Sequence, residues 1–103
     1  MSICAASSVE SVPEDRLIGW AMFELPGGER HLAGWSCATH EGRATRAIVQ
    51  FDAVQMRAVT ASGRVSQLVG EPRLRGDGEY TWRRWCRLND VDPARCQDIS
   101  REL

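Results

Sequence analysis

Arginine and tryptophan supply the side chains with the most chemistry to offer, and they gather late in the chain. Arg73, Arg75, Arg83, Arg84 and Arg87 are interleaved with Tyr80, Trp82 and Trp85. Guanidinium groups neutralise phosphates and carboxylates, and aromatic faces stack on bases, so the mixture suits an anionic partner. A plainer reading stands beside it. Trp82, Trp85, Cys86 and Asn89 follow the i, i+3, i+4, i+7 spacing of one helix face, which would lie on a core while Arg83, Arg84 and Arg87 solvate the flank. His31, Cys37 and His40, with Cys86 or Cys96 as a fourth ligand, are zinc-ligand types. Strand alternation sets residue 40 away from 31 and 37, so no metal or other cofactor is expected, and the thiol is read as core with both histidines at the rim. Glu24 opposite His31 would be an acid/base pair in a cleft, but beside a turn it reads as a surface pair. Cys86 near arginines resembles an activated thiol, although cysteine is among the most buried residue types. Gly27, Gly28, Gly76 and Gly78 lack the spacing and lysine of a phosphate loop and read as turns.

These residues are positioned by a hairpin-rich first half and one helix. Apolar, β-compatible runs over 16–25 and 30–39 flank Pro26, Gly27 and Gly28. With Gly27 and Gly28 as a two-residue turn, Trp20 falls opposite Trp35 and Glu24 opposite His31. Residues 47–51 form a third strand, and 55–61 with 64–70 a second hairpin about Ser62 and Gly63, with Met56 opposite Val69 and Thr60 opposite Val65. In that register Val59 and Leu68 point away from Ala58. The helix covers residues 77–89, with Asp77 as N-cap and Asn89 in the left-handed closing position before Pro93. Both faces of the first hairpin are partly apolar, so the sheet must be covered on both sides or curled. Trp20, Trp35, Gly63, Trp82 and Trp85 are therefore assigned structural roles. The expected fold is α+β: a small antiparallel sheet of four to five strands, curled or barrel-like, then one helix. Residues 1–14 read as a loosely ordered arm, 15–103 as one domain, and 97–103 as an edge strand or turn.

Composition agrees with a folded domain. The 103 residues are 43% hydrophobic and 26% charged, with a formal net charge of −1. All thirteen basic residues are arginine. Residues 1–42 hold two Arg against six acids, 43–87 nine against four, and 88–103 two against four, a basic middle between acidic ends. That middle is an anion-facing surface or charge that pairs internally. The start of the chain has neither the basic region nor the apolar run of a signal peptide, and no stretch is long enough to span a membrane. A cytoplasmic protein with reduced thiols at Cys4, Cys37, Cys86 and Cys96 is expected, with no membrane partner.

Thr60, Ser62, Gly63, Arg64, Leu68, Gly70 and Pro72, followed by Tyr80, Trp82 and Trp85, resemble a pattern in short uncharacterised proteins of bacteria and their phages. Ser66 stands where that pattern carries an aromatic residue. The resemblance covers less than half the chain and implies a hairpin-then-helix unit of mobile-element origin. The leading functional expectation is a non-catalytic protein-binding module, because the chain is catalytically bare and carries Trp and Arg, which are favoured interface anchors. With a phage origin it becomes an inhibitor of a host defence complex, of the anti-CRISPR type. Nucleic-acid binding through the Arg-rich middle and a small Cys or His enzyme are the alternatives, and a homodimer is compatible with each. A pI near 6.1 counts against nucleic acid.

Overall fold

A computed structural model describes residues 14–103, so the expected arm, with Cys4, lies outside the described residues apart from Glu14. Among the described residues seven strands and one helix follow in order: β1 Glu14–Glu24, β2 Arg30–Ser36, β3 Glu41–Ala44, β4 Ile48–Asp52, β5 Arg57–Thr60, β6 Val65–Leu68, α1 Gly76–Leu88 and β7 Gln97–Asp98. Single 3-10 turns cover Pro93–Arg95 and Ser100–Glu102. The class is α+β, with more strands than expected. The sheet is also mixed, because β1 and β6 run parallel. Two three-stranded meanders lie side by side in the order β3-β2-β1-β6-β5-β4, with β7 added to the far end of β1. No described helix is long and apolar enough to cross a membrane.

A length argument shows that the sheet curls. Laid flat, β3 and β4 would be five strand spacings apart, about 24 Å. Only Thr45, Arg46 and Ala47 join them, a reach of about 14 Å between Ala44 and Ile48. The sheet therefore bends until β3 and β4 become one run that changes partners. Thr45 N–H still donates to Leu32 O on the β2 side at 2.8 Å, and Ala47 O already accepts from Ala61 N–H on the β5 side at 2.8 Å. Inside the curl lies one core: Leu17, Trp20, Met22, Leu32, Ala58, Leu68 and Ile99.

The registers differ from the sequence expectation for identifiable reasons. Both hairpin loops hold three residues rather than two. Leu25 N–H bonds Glu29 O and Gly28 N–H bonds Leu25 O, and Thr60, Arg64 and Gly63 repeat the pattern. Gly28 (φ +95°) and Gly63 (φ +89°) take the left-handed position that ends such loops. Each register moves by one residue, so Glu24 pairs with Arg30, Phe23 with His31 and Val59 with Val65. Leu68 thereby joins Ala58 in the core instead of opposing it. A bulge between Ile18 and Ala21, with Gly19 at φ +52°, then shifts β1 again. Trp20 turns into the core while Trp35 pairs with Ile18, so the expected tryptophan pair does not form.

The outer face of β2 and β3 carries α1 and a second core of Ala33, Trp82 and Cys86, flanked by Phe23, Leu25, Ala44, Leu74, Trp85 and Val91. Arg75, not Asp77, is the N-cap residue; Asp77 and Glu79 sit in the first turn, where carboxylates favour the helix dipole. At the other end Asp90 (φ +59°), rather than Asn89, is left-handed. Val91 N–H donates to Cys86 O and Asp90 N–H to Arg87 O, a Schellman closure that also brings Val91 onto the helix's apolar face. The close docking depends on glycine. A Cβ at Gly42 would collide with the Asp77 carbonyl and the Thr81 hydroxyl. Gly42→Ala is expected to lower stability by about 1 to 3 kcal/mol in urea unfolding, as overpacking does. Gly27→Ala, in a loop where a Cβ meets nothing within 4 Å, is the near-neutral control.

Candidate binding sites

One end of the curled interior is polar. Along β1 the inward positions before the bulge are Asp15 and Leu17, and along the second hairpin they are Arg64, Ser66 and Leu68. Asp15 is 1% exposed, Arg64 6% and Ser66 0%. The Asp15 carboxylate accepts from Ser36 Oγ at 2.7 Å and from Ala38 N–H at 3.2 Å. Arg43 Nε lies 3.1 Å from Asp15 Oδ2, close enough for a strong charge interaction but off the axis of a hydrogen bond. Arg64 loses hydration beside Arg43. Burial first, and the neighbouring cation second, hold its pKa below the ordinary arginine value, with Asp15 opposing both. Three elements shape a pocket of about 370 Å³ here: β3, the Thr45–Ala47 link and the β5–β6 hairpin. Arg43, Arg46 and Arg64 line it together with Thr45, Thr60, Ser62 and Ser66.

The link also borders a second groove of about 540 Å³ that reaches Glu29, His31, Trp85 and Asn89. His31 is core rather than rim, and its partner is Glu29 rather than Glu24. Nδ1 donates to Thr45 O at 2.9 Å, and Nε2 lies 2.7 Å from Glu29 Oε1. A carbonyl oxygen only accepts, so Nδ1 of the ring carries the hydrogen in the first contact. Trp85 packs against that ring at 4.5 Å between centroids. Behind it Trp85, Trp82 and Phe23 stack at 5.2 and 4.4 Å with nearly parallel planes. Such pairs contribute about 0.5 to 1.5 kcal/mol beyond the area they bury, so a fold role accounts for the aromatic ladder. Glu24 instead pairs with Arg30 at 3.2 Å.

The five arginines singled out from the sequence are all exposed, but they do not form one patch. Arg73 borders a cleft with Trp20, Pro72 and Arg101. Arg75 borders another with Ile18, Trp35 and Asp77. Arg83, Arg84 and Arg87 share the outside of α1, where Arg83 pairs with Glu79 at 3.3 Å. Of the zinc-ligand candidates, Cys37 and His40 are exposed in the β2–β3 turn, whereas His31 is buried. Among the described residues no group of three or more His, Cys, Asp or Glu side chains converges.

Arg43, Arg46 and Arg64 are the residues that sequence reasoning passed over. The signal was present in the basic middle and in Arg64, Ser66 and Leu68 at alternate positions, but a two-residue turn assigned the wrong inward face. Comparison of the chain with protein-family models, with curated proteins and with solved structures finds no match.

Two measurements probe these environments. Asp15→Ala strands Arg43 in a half-dry site and is expected to cost about 3 to 5 kcal/mol in chemical unfolding, as breaking a buried pair does. Burial, and next the neighbouring Cys96, push the Cys86 thiol up to about 11. Roughly one molecule in a thousand then carries a thiolate there at pH 8. Iodoacetamide at that pH should label exposed Cys37 and spare Cys86 until denaturant is added. Because the raised pKa favours the folded state below the unfolded thiol's pKa, this contribution is lost as pH rises towards 11.

Proposed function

We propose that this chain is a non-catalytic module that binds an acidic protein surface through the outer face of α1. The observation that carries the reading is the division of the helix into two faces. Trp82 and Cys86 are buried and hold the helix on the sheet, whereas Tyr80 and Leu88 are 62% and 70% exposed. Tyr80, Arg84, Arg87 and Leu88 recur at i, i+4, i+7 and i+8, so two large apolar groups bracket guanidinium groups along one outward stripe. Among the described residues, Arg83 is the helix arginine with an acidic partner, and that pair is a solvated i, i+4 contact of small energy. Tyrosine and arginine are favoured interface anchors because each combines a wide apolar body with polar ends. Positive charge on the stripe selects an acidic partner. A defence complex inhibited by a phage protein would be one such partner. Nucleic acid would engage the same arginines, and the test separates it from protein.

The variant Arg83→Ala, Arg84→Ala, Arg87→Ala should leave urea stability within about 0.5 kcal/mol per site, since none of these side chains enters a core. Immobilised native chain exposed to its host's lysate should retain a protein that the triple variant does not, and raised salt should release it. Equal capture by both chains moves the interface off α1. Retained material absorbing at 260 nm and digested by nuclease would replace a protein partner with nucleic acid.

A further inference from the structure

Two thiols meet beneath the C-terminal end of α1, apart from its outer face. Cys86 is fully buried in the second core, on the side of the helix that rests on the sheet. Cys96 is half-buried and packs against the same cluster. Residues 87–95 separate them, and each step of the return is held by hydrogen bonds. The Schellman closure bonds Val91 N–H to Cys86 O and reverses the chain. Asp92 then caps the 3-10 turn Pro93–Arg95 through its side chain, and Cys96 N–H donates to Pro93 O at 3.2 Å. Directly after Cys96, β7 pairs with β1 at Phe23 and Glu24. Cys96 is thus fixed from both sides with its sulfur against Cys86, and the two thiols share a hydrogen bond.

The two sulfurs are unequal. That bond raises the pKa of Cys86 and lowers that of Cys96, so Cys86 is its donor. Cys86 is dry and stays protonated, with its pKa pushed up to about 11. Burial raises Cys96 as well, but the bond from Cys86 offsets part of the rise because a donor stabilises the thiolate. In its thiol form Cys96 donates to Asp92 O at 3.6 Å. A core role accounts for Cys86 alone, since cysteine packs as a small hydrophobe. It does not account for a second sulfur, open to solvent on one side, held against the first.

We propose that Cys86 and Cys96 form a reversible disulfide, with Cys96 as the thiol that meets the oxidant and Cys86 as the thiol that resolves it. The oxidant is a low-molecular-weight disulfide, for which oxidised glutathione is the probe. The Cys96 thiolate attacks one glutathione sulfur; a Cys96–glutathione bond forms, the glutathione S–S bond breaks, and one glutathione thiolate leaves. Cys86 then gives up its proton and attacks Cys96 Sγ, which forms the Cys86–Cys96 bond and expels the second glutathione. Two protein thiols are oxidised to one disulfide, one glutathione disulfide is reduced to two thiols, and the two protons pass through water to the departing thiolates. The product ties the C-terminal segment covalently to the helix.

The test begins with the reduced full chain, incubated at pH 8 with oxidised glutathione, blocked with N-ethylmaleimide and digested with trypsin without reductant. Trypsin cuts after arginine, so mass spectrometry should find residues 85–87 joined to 96–101, and dithiothreitol should separate them. The oxidised chain should melt about 10 °C above the reduced one, as closing a loop of about eleven residues does. In Cys96→Ser, which alters a half-buried side chain, the same treatment should give neither the cross-link nor the rise. In Cys86→Ala glutathione should stay on Cys96 as a stable adduct. A cross-link that forms only in denaturant, glutathione retained on Cys96 of the native chain, Cys96 joined to another cysteine, or an unchanged melting point would overturn the proposal.

Discussion

Thr45, Arg46 and Ala47 form the link on which the rest of the architecture depends. Because they are too few to cross a flat sheet, the two meanders must wrap around a common interior. Curling gives the sheet two apolar faces with different tasks: the concave one closes on Leu17, Trp20, Met22 and Leu32, and the convex one receives α1. The same link forms the wall shared by both clefts, one reaching the buried arginines and the other His31 and Trp85. A longer connection would let β3 and β4 separate, and neither cleft would keep its shape.

Closure has a polar consequence. The inward positions continue past the apolar residues to the ends of the strands, where the interior meets solvent, and there the chain places Asp15, Ser36, Arg43, Arg64 and Ser66. Ion pairs in such places seldom stabilise a fold relative to apolar replacements of the same size, because desolvation offsets most of the attraction. Asp15 accepts from Ser36 and Ala38 and has the Arg43 guanidinium beside it, so the carboxylate itself is satisfied. Arg64, farther along the same interior, gives up hydration beside Arg43. Burial of charged groups, rather than the number of arginines, separates this region from an ordinary solvated surface.

How much of this was legible in the sequence depends on which local signals act alone. The helix was, because Trp82, Trp85 and Cys86 repeat at its period and Pro93 follows; only its N-cap moved, by two residues, and its left-handed closing residue, by one. Both hairpins were legible as hairpins, since Gly28 and Gly63 mark turns wherever they stand. Loop length was not, because Pro-Gly-Gly and Ala-Ser-Gly fit two-residue and three-residue turns alike, and one residue inverts every side chain of a strand. Hidden too was the bulge at Gly19, whose positive φ accompanies the close passage of Arg73 O. Hence Trp20 and Trp35 looked like partners, Glu24 looked like the partner of His31, and the inward-facing Arg64 and Ser66 went unnoticed. The strand at Glu41–Ala44 escaped for another reason: it is short and polar, and it is held between β2 and α1 rather than by its own pattern.

The two groups of arginines differ in what water does for them. On the outside of α1, Arg84 and Arg87 keep their hydration in the free chain, so they cost the fold nothing and gain energy only when a partner displaces that water. Arg64 has already given up most of its hydration in reaching the interior, so the cost of desolvation falls during folding. Affinity for a broad acidic surface therefore belongs to the helix face, where hydration is still there to be displaced. The link that curls the sheet also carries Arg46 to the rim of the pocket that Arg43 and Arg64 line, so the three link residues set both the curl and the polar end of the interior.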